Sequence, residues 1–433
     1  MHHVIIGGGP AGVIAAETIR KQAPYDNITI VSDEVVPAYS RMAIPYLLMG
    51  NVKEDGTYLR KDPNHLKKLH ISWAQAGVKF VDIAIKKIAL VSGIEVTFDT
   101  LLIATGSHPI KPPIPGIDSE GVHTCWTMED ARQIMMLANK GSRVLQLGAG
   151  FIGCIIMEAL AARGVKLSVV EMGDRMVPRM MGPTAGGMIR NWVQDKGIEV
   201  FTGTKVEAIE AGMHGGALKV KLSNGKTVEA DLLISAAGVR PAIGFLKDSG
   251  ISCLLGVLTD AHLQTNVPGI FAAGDCAEAF DKVTGKTVVS AIQPNAAEQA
   301  RIAGMNMVAY SRGQAMLAEL KGVTQINVLD TLGLISTSFG DWQGQPGGEH
   351  VEQTNLKKGK HLSLQFKDDV LVGCNSVGWT EHVGVMRGLV EGKVKLGKWK
   401  DRLKADPTKL MEAYIASAQG QQAWAGALDE RRR

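Results

Sequence analysis

Two sets of glycines carry the clearest chemistry in this sequence. Gly7, Gly9 and Gly12 have the G-x-G-x-x-G spacing, and Gly148, Gly150 and Gly153 repeat it. In such a turn one glycine permits the tight bend, one lets the backbone approach a pyrophosphate, and one allows the next helix to pack close to the strand. The helix N-terminus then turns its free N–H groups and partial positive charge toward the phosphates. An acid follows each turn. Ser32-Asp33-Glu34 follows the first, and Glu171 follows the second close to the roughly 20-residue spacing at which a carboxylate meets a ribose. A carboxylate at Glu171 accepts from both ribose hydroxyls and repels a 2′-phosphate, which favours NAD over NADP. Arg175, a few residues on, argues the other way.

Thiol and metal chemistry have little to build on. The five cysteines, Cys125, Cys154, Cys253, Cys276 and Cys374, contain no C-x-x-C and join no His/Cys cluster of metal spacing. They read as free thiols in a reducing compartment, with no metal and no iron–sulfur cluster held by this chain alone. Cys154, beside Gly153, and Cys276, after Asp275, read as packing thiols.

The elements that must position these residues follow from local pattern. Val4-Ile5-Ile6 is an apolar run into the first turn, helical spacing follows it (Val13, Ala15-Ala16, Ile19), and Ile28-Thr29-Ile30-Val31 is the next strand. Val144-Leu145-Gln146-Leu147, a helix to about Arg163, and Leu167-Ser168-Val169-Val170 repeat that order. Three further buried strands end in glycine turns: one at Ala104-Thr105-Gly106, one at Gly238-x-Arg240-Pro241 and one at Gly274-Asp275. Prolines 109, 112, 113 and 115 mark a crossing between domains. From about Gly322 short alternating runs such as Leu362-Ser363-Leu364-Gln365-Phe366 predict a mainly antiparallel third domain.

Composition bounds the class. A chain of 433 residues is too long for one core; 45% hydrophobic and 21% charged residues suit a globular protein, and 50 glycines suit an α/β fold with many tight turns. A net charge of +4 is too small to argue for nucleic acid. No apolar run approaches the roughly 18 residues needed to span a bilayer. The first strand starts within a few residues of Met1, so the reading expects no leader peptide and a cytoplasmic location.

This ordered set of motifs resembles the FAD-dependent pyridine nucleotide–disulfide oxidoreductases, strongly over about the first 310 residues. The resemblance implies an α/β fold with two Rossmann-like dinucleotide-binding domains and a C-terminal α+β domain. The FAD domain (1–112 and 245–318) would be split by an inserted NAD domain (113–244), with an interface domain at 319–433. It assigns Gly7, Gly9, Gly12, Ala104, Thr105, Gly106, Gly274 and Asp275 to FAD, with Asp275 on the ribityl chain or adjoining phosphate. Gly148, Gly150, Gly153 and Glu171 go to the NAD side, and Gly238 is a further cofactor-binding glycine. The disulfide-reducing branches carry a redox cysteine where this chain has Met42, and a thioether cannot become a thiolate. Tyr39-Ser40-Arg41 instead is similar to the cysteine-free branch of ferredoxin, rubredoxin and nitrite reductase flavoproteins and the apoptosis-inducing-factor group. There residues matching Arg41 and Asp33 touch the adenosine side of FAD. That branch usually pairs a Lys and a Glu near the flavin; Tyr46 and Ile155 stand at those places here, and Glu158, a turn later, reads as a structural helix residue.

The finer text, in Ser40–Tyr46, Arg175–Met181, Asp330–Ile335 and Glu381–Val385, is similar to the FAD-carrying epsilon subunits of NADH-forming phenylglyoxylate dehydrogenases and their relatives, the electron-exit subunits of anaerobic 2-oxoacid oxidoreductases. The function this implies is hydride-to-electron conversion between NAD(H) and iron–sulfur centres of partner subunits, with no catalytic nucleophile. A free-standing NADH:rubredoxin or ferredoxin reductase and a redox-sensing flavoprotein stay open beside it. His382, with Glu381 and Trp379, reads as a packing or hydrogen-bonding residue, and Arg179 as a helix-entry residue within reach of a phosphate. The run Lys393, Lys395, Lys398, Lys400, Arg402, Lys404 reads first as a solvated face and second as a dock for an acidic iron–sulfur partner. The tail Gln419–Arg433 reads as a solvated terminus.

Overall fold

The computed structural model describes residues 1–34, 37–212, 216–281, 285–323 and 326–420. The chain forms two compact units, each assembled from separated segments.

The first unit holds residues 1–110, 126–132 and 238–323. Strand β1 (His2–Ile6) leads through the first glycine turn into helix α1 (Pro10–Gln22), and β2 (Asn27–Ser32), β3 (Ile71–Gln75) and β4 (Thr100–Ile103) follow. The chain then enters the second unit (111–125, 133–237 and 324–433). There β5 (Arg143–Leu147), α2 (Phe151–Ala162), β6 (Lys166–Val170), β7 (Glu199–Phe201) and β8 (Leu232–Ser235) repeat the pattern. Back in the first unit come β9 (Ile270–Ala272) and the long helix α3 (Gln293–Ser311). All pairings of the sheet β9-β4-β1-β2-β3 are parallel, as are those of β7-β6-β5-β8 with the short strand Val122–His123.

Parallel sheets need crossover helices, which cover both faces, so their strands are apolar throughout. In β1 the pleat sends Ile5 to one face, with Ile28, Ile30 and Leu102, and Val4 and Ile6 to the other, with Val31, Leu101 and Ile103. Helix α1 lays Ala11, Ala15, Ala16 and Ile19 on the first face. Each fully buried Ile contributes about 1.5–3 kcal/mol. Its close partner is α3, where a Cβ on Gly304 would stand 3.1 Å from the Ala15 carbonyl oxygen. Arg20 and Lys21 in the last turn of α1 suit the negative end of its dipole.

The rest of the second unit is antiparallel. Val206–Glu210, Leu218–Leu222 and Thr227–Ala230 form one sheet. Residues 326–377 form a five-stranded sheet, followed by helices Val383–Glu391, Trp399–Ala405 and Leu410–Gly420. The strand Val370–Val377 is central and nearly all buried, whereas the edge strand Glu349–Asn355 is largely exposed and polar, which discourages pairing with another chain. The tail from residue 421 lies outside the described residues. Among the described residues no helix is long and apolar enough to cross a membrane.

Candidate dinucleotide sites

The first glycine turn is closed on every side but one, by backbone at Gly7 and Gly12 and by side chain at Gly8. Gly7 has φ +115°, and a Cβ there would lie 2.1 Å from the Ala104 carbonyl oxygen. A Cβ on Gly12 would lie 1.9 Å from the oxygen of Gly7, so the helix sits directly on the turn. A Cβ on Gly8 would strike the Trp73 ring at 2.2 Å. At Gly9, the N-cap of α1, a Cβ would meet nothing within 4 Å. A cavity lined by Gly8, Gly9, Ser32, Glu34, Tyr39 and Arg41 lies on that side, at the helix end whose first-turn N–H groups have no intrahelical partner. This open cradle at a helix N-terminus fits the pyrophosphate of a dinucleotide.

The flanking residues gather around it. Gly274 (φ +83°) comes so near α1 that a Cβ would be 3.2 Å from Ala11, and its N–H donates to Gln299 Oε1 at 2.7 Å. Thr105 Oγ1 donates to the Ala242 carbonyl at 2.8 Å, and Gly106 and Gly238 hold positive φ in the turns joined by the Ser107–Pro109 and Val239–Pro241 ribbon. Asp275 accepts from Ser107 Oγ at 3.0 Å. Burial pushes its carboxyl above the usual carboxylate range, against the pull of Ser107 and the positive charge of Arg41. A group that donates a hydrogen bond to Asp275, as a ribityl hydroxyl does, would relieve this cost.

Arg41 is held from four directions. Its Nη2 pairs with Glu34 Oε1 at 2.5 Å, its Nη1 donates to Tyr39 Oη at 3.0 Å and to the Trp126 carbonyl at 2.7 Å, and its guanidinium lies 5.5 and 5.4 Å from the Tyr39 and Trp126 ring centres. Trp126 Nε1 donates to the Ser107 carbonyl at 2.9 Å, so one indole links Arg41 to the residue that holds Asp275. Sequence reasoning missed Trp126. Its local signal is the capping pair beside it, with Asp130 Oδ2 accepting from the Trp126 and Thr127 N–H groups and Thr127 Oγ1 accepting from Asp130 N–H. Of the two acids at the end of β2, Asp33 is exposed, and Glu34 is the one that lines the cavity.

The second turn has the same construction. Gly148 (φ +100°) would clash with the Ala236 oxygen at 2.4 Å and Gly153 with the Gly148 oxygen at 2.5 Å, while Gly150 opens on nothing within 4 Å. Glu171 stands beside it, with Oε2 accepting from Ala149 N–H and Oε1 from Gly173 N–H, both at 2.7 Å. Arg175 is turned away into its own loop, donating to the Met181 carbonyl at 2.8 Å and the Pro178 carbonyl at 3.4 Å and pairing with Asp174 at 2.7 Å.

The thiols are placed for packing. Cys154, Cys276 and Cys374 are fully buried, and burial raises all three, Cys154 and Cys374 to about 12. Met42 and Tyr46 are exposed at 61% and 53%. Glu158 is half-buried, raised by burial and by Asp330. His382 is the N-cap of its helix, at φ 65°. Among the described residues no group of three or more His, Cys, Asp or Glu stands together to hold a metal.

Residues 1–300 match the family model for pyridine nucleotide-disulphide oxidoreductases. The chain belongs to that family. It is 31% identical over 406 residues to the epsilon subunit of NADH-dependent phenylglyoxylate dehydrogenase from Aromatoleum evansii, covering 94% of this chain and 95% of that one. It is 33% identical over 407 residues to a Methanocaldococcus jannaschii NADH oxidase, covering 87% and 88%. Among solved structures, an NAD-dependent persulfide reductase from A. fulgidus superposes with a TM-score of 0.83 at 27% identity, over 92% of this chain and 78% of that one. The family's two nucleotides, FAD and NAD(H), correspond in number to the two glycine turns. Family members with thiol chemistry need a cysteine that position 42 does not supply.

Proposed function

We propose that this chain is an FAD-dependent NAD(H) oxidoreductase that passes electrons between NAD(H) and one-electron, iron–sulfur centres of a partner protein. In this reading residues 1–112 and 245–318 hold FAD, 113–244 hold NAD(H) apart from 126–132 and 238–244, which fold with the first unit, and 319–433 form the interface part. Bound FAD supplies the chemistry that accepts a hydride and releases single electrons. The chain's own residues bind and orient. The first turn and Asp275 would hold FAD, with Arg41 and the acids at the end of β2 on its adenosine side. The second turn and Glu171 would hold NAD(H). The single observation that carries the reading is the presence of two such cradles in one chain with methionine at the redox-cysteine position. An electron-exit subunit of an anaerobic 2-oxoacid oxidoreductase is the specific form we favour, on the near full-length likeness to such a subunit.

Nucleotide preference tests it. With Glu171 at the turn and Arg175 occupied elsewhere, a 2′-phosphate meets a carboxylate that Arg175 is not free to offset. That repulsion costs about 1–4 kcal/mol at intermediate dielectric, and about 1.4 kcal/mol is a factor of ten. Anaerobic reduction of the bound flavin should therefore be at least about fivefold more efficient with NADH than with NADPH. Equal rates with the two, or no reduction by either, would overturn the reading.

The partner surface we propose lies in the basic run, which the structure sorts into two groups. Lys400 and Lys404 both pair with Glu349, holding its carboxyl down to about 2, and are neutralised within the chain. Lys398 and Arg402, the latter stacked 4.7 Å over Trp399, line an open groove with Leu396 and Asp369. Reversing Lys398 and Arg402 to Glu should slow electron transfer to an acidic iron–sulfur protein by about tenfold at low salt and spare a small uncharged quinone acceptor. Lys400→Glu should instead disturb the edge strand it pairs with. Full coupling after the double reversal would place the partner elsewhere.

A further inference from the structure

The two glycine turns share their framing backbone bonds but differ at one buried strand position. Gly7 N–H donates to the Val31 carbonyl at 2.8 Å and Gly148 N–H to the Val170 carbonyl at 2.8 Å. Ala104 N–H reaches the Ile6 carbonyl at 2.8 Å and Ala236 N–H the Leu147 carbonyl at 2.7 Å. The helices start at Gly9 (φ −76°, ψ −171°) and Gly150 (φ −75°, ψ −171°). At the second residue before the first glycine, however, the first unit has Ile5 and the second has Gln146, both wholly buried. Ile5 packs its Cγ2 3.4 Å from where a Gly12 Cβ would be; Gln146 puts its Nε2 3.0 Å from where a Gly153 Cβ would be. The helix stands correspondingly further off, with the third glycine's added Cβ 2.5 Å from the first glycine's oxygen and not 1.9 Å.

Gln146 spends both amide hydrogens on the turn, donating to the Gly148 carbonyl at 2.8 Å and the Gly153 carbonyl at 3.0 Å. Its Oε1 is buried without a hydrogen-bond partner among the described residues. An isoleucine fits the same place in the twin turn and leaves no such orphan. A residue that costs stability where an apolar one fits is held for what its donors do. The Gly148 carbonyl and the Ala149 N–H are the two edges of one rigid peptide plane. Gln146 grips one edge and Glu171 Oε2 the other.

We propose that Gln146 is a positioning residue for the nicotinamide nucleotide, locking the Gly148–Ala149 peptide plane so that Glu171 is presented to the ribose in one orientation. The flavin turn has no equivalent lock. This inference rests on the assignment of the second turn to NAD(H).

The test is Gln146→Met, nearly isosteric, together with Gln146→Ile, the residue of the twin turn, both in the full-length flavoprotein. For each, the dissociation constants of NADH and NADPH, the FAD content and the thermal midpoint are measured. The expected result is an NADH dissociation constant raised about tenfold and a clearly smaller NADH-over-NADPH preference, because Glu171 is no longer fixed. FAD content should be unchanged, and the thermal midpoint changed little, because the orphan oxygen goes together with the two hydrogen bonds. NADH affinity and preference within twofold of wild type in both variants would overturn the proposal. So would parallel loss of FAD, midpoint and NADH affinity, which is the mark of a merely structural residue. A wild-type chain that binds no NADH would instead overturn the assignment of the turn itself, which separates the two failures.

Discussion

Gly12→Ala should yield a destabilised protein that does not retain FAD, whereas Gly9→Ala should fold normally and still bind FAD poorly. The difference lies in what the new methyl meets. At Gly12 it would stand 1.9 Å from the Gly7 carbonyl oxygen, which is backbone and cannot swing aside. Helix α1 would have to lift off β1, and α1 is packed on α3 through Ala15 and Gly304. We expect a cost of about 3 kcal/mol or more, at the upper end for overpacking. At Gly9 nothing lies within 4 Å, and φ −76° suits alanine as well as glycine. Only a ligand on the open face would feel that methyl. Gly153→Ala supplies the parallel in the second turn, with FAD kept and the response to NADH lost. Flavin content and thermal midpoints of the purified variants decide the matter. Undiminished FAD in Gly9→Ala would show that the pyrophosphate does not lie where the turn opens.

Asp275→Asn should separate stability from cofactor binding in the opposite sense. The folded-state pKa of Asp275 is raised, chiefly by burial. Such a carboxyl contributes stability that is fully present below its unfolded pKa and is lost as pH rises through the folded value. At neutral pH the flavin-free protein therefore lacks that contribution, because burial disfavours the charged form and Ser107 and Arg41 offset this only in part. Asparagine has the same shape without the charge. Apo Asp275→Asn should melt above apo wild type at pH 7, and the gap should close as pH falls below the ordinary carboxylate range. FAD affinity should fall by about tenfold to a hundredfold, since a hydrogen bond to a charged group is worth about 1.5–3 kcal/mol. A lower melting point at pH 7 would mean that the carboxylate is better paired than Ser107 and Arg41 alone allow. Unchanged FAD affinity would remove Asp275 from the flavin site.

What was legible in the sequence was local. Each glycine turn is written within about a dozen consecutive residues, and strand, turn, helix and strand all carry their signal in the same stretch. What was not legible depends on residues far apart in the chain. Trp126 reaches Arg41 and Ser107 only after folding, and its own neighbourhood announces no more than a helix start. The run from Lys393 to Lys404 reads as uniform charge, yet Lys400 and Lys404 are cancelled by Glu349, some 50 positions upstream. Gln146 is visible as a polar residue in an apolar strand, but its purpose depends on a peptide plane shared with Glu171. At the end of β2 the sequence offered two adjacent acids, and only the fold shows that Glu34 is the one lining the cavity.

The pairing of β9 with β4 also bears on how the protein is made. Ile270–Ala272 completes the first sheet beside Leu101–Ile103, and the whole second glycine-turn region is synthesised between them. At translation rates of about 5–20 residues per second, β4 waits on the order of ten seconds as an unpaired hydrophobic edge. Gly274 and Asp275 emerge only after that wait, so the nascent chain cannot close its first nucleotide cradle early. With FAD assigned to that cradle as proposed, flavin loading becomes a late event in biogenesis, and the interval before it leaves the young polypeptide exposed to aggregation and to rescue by chaperones.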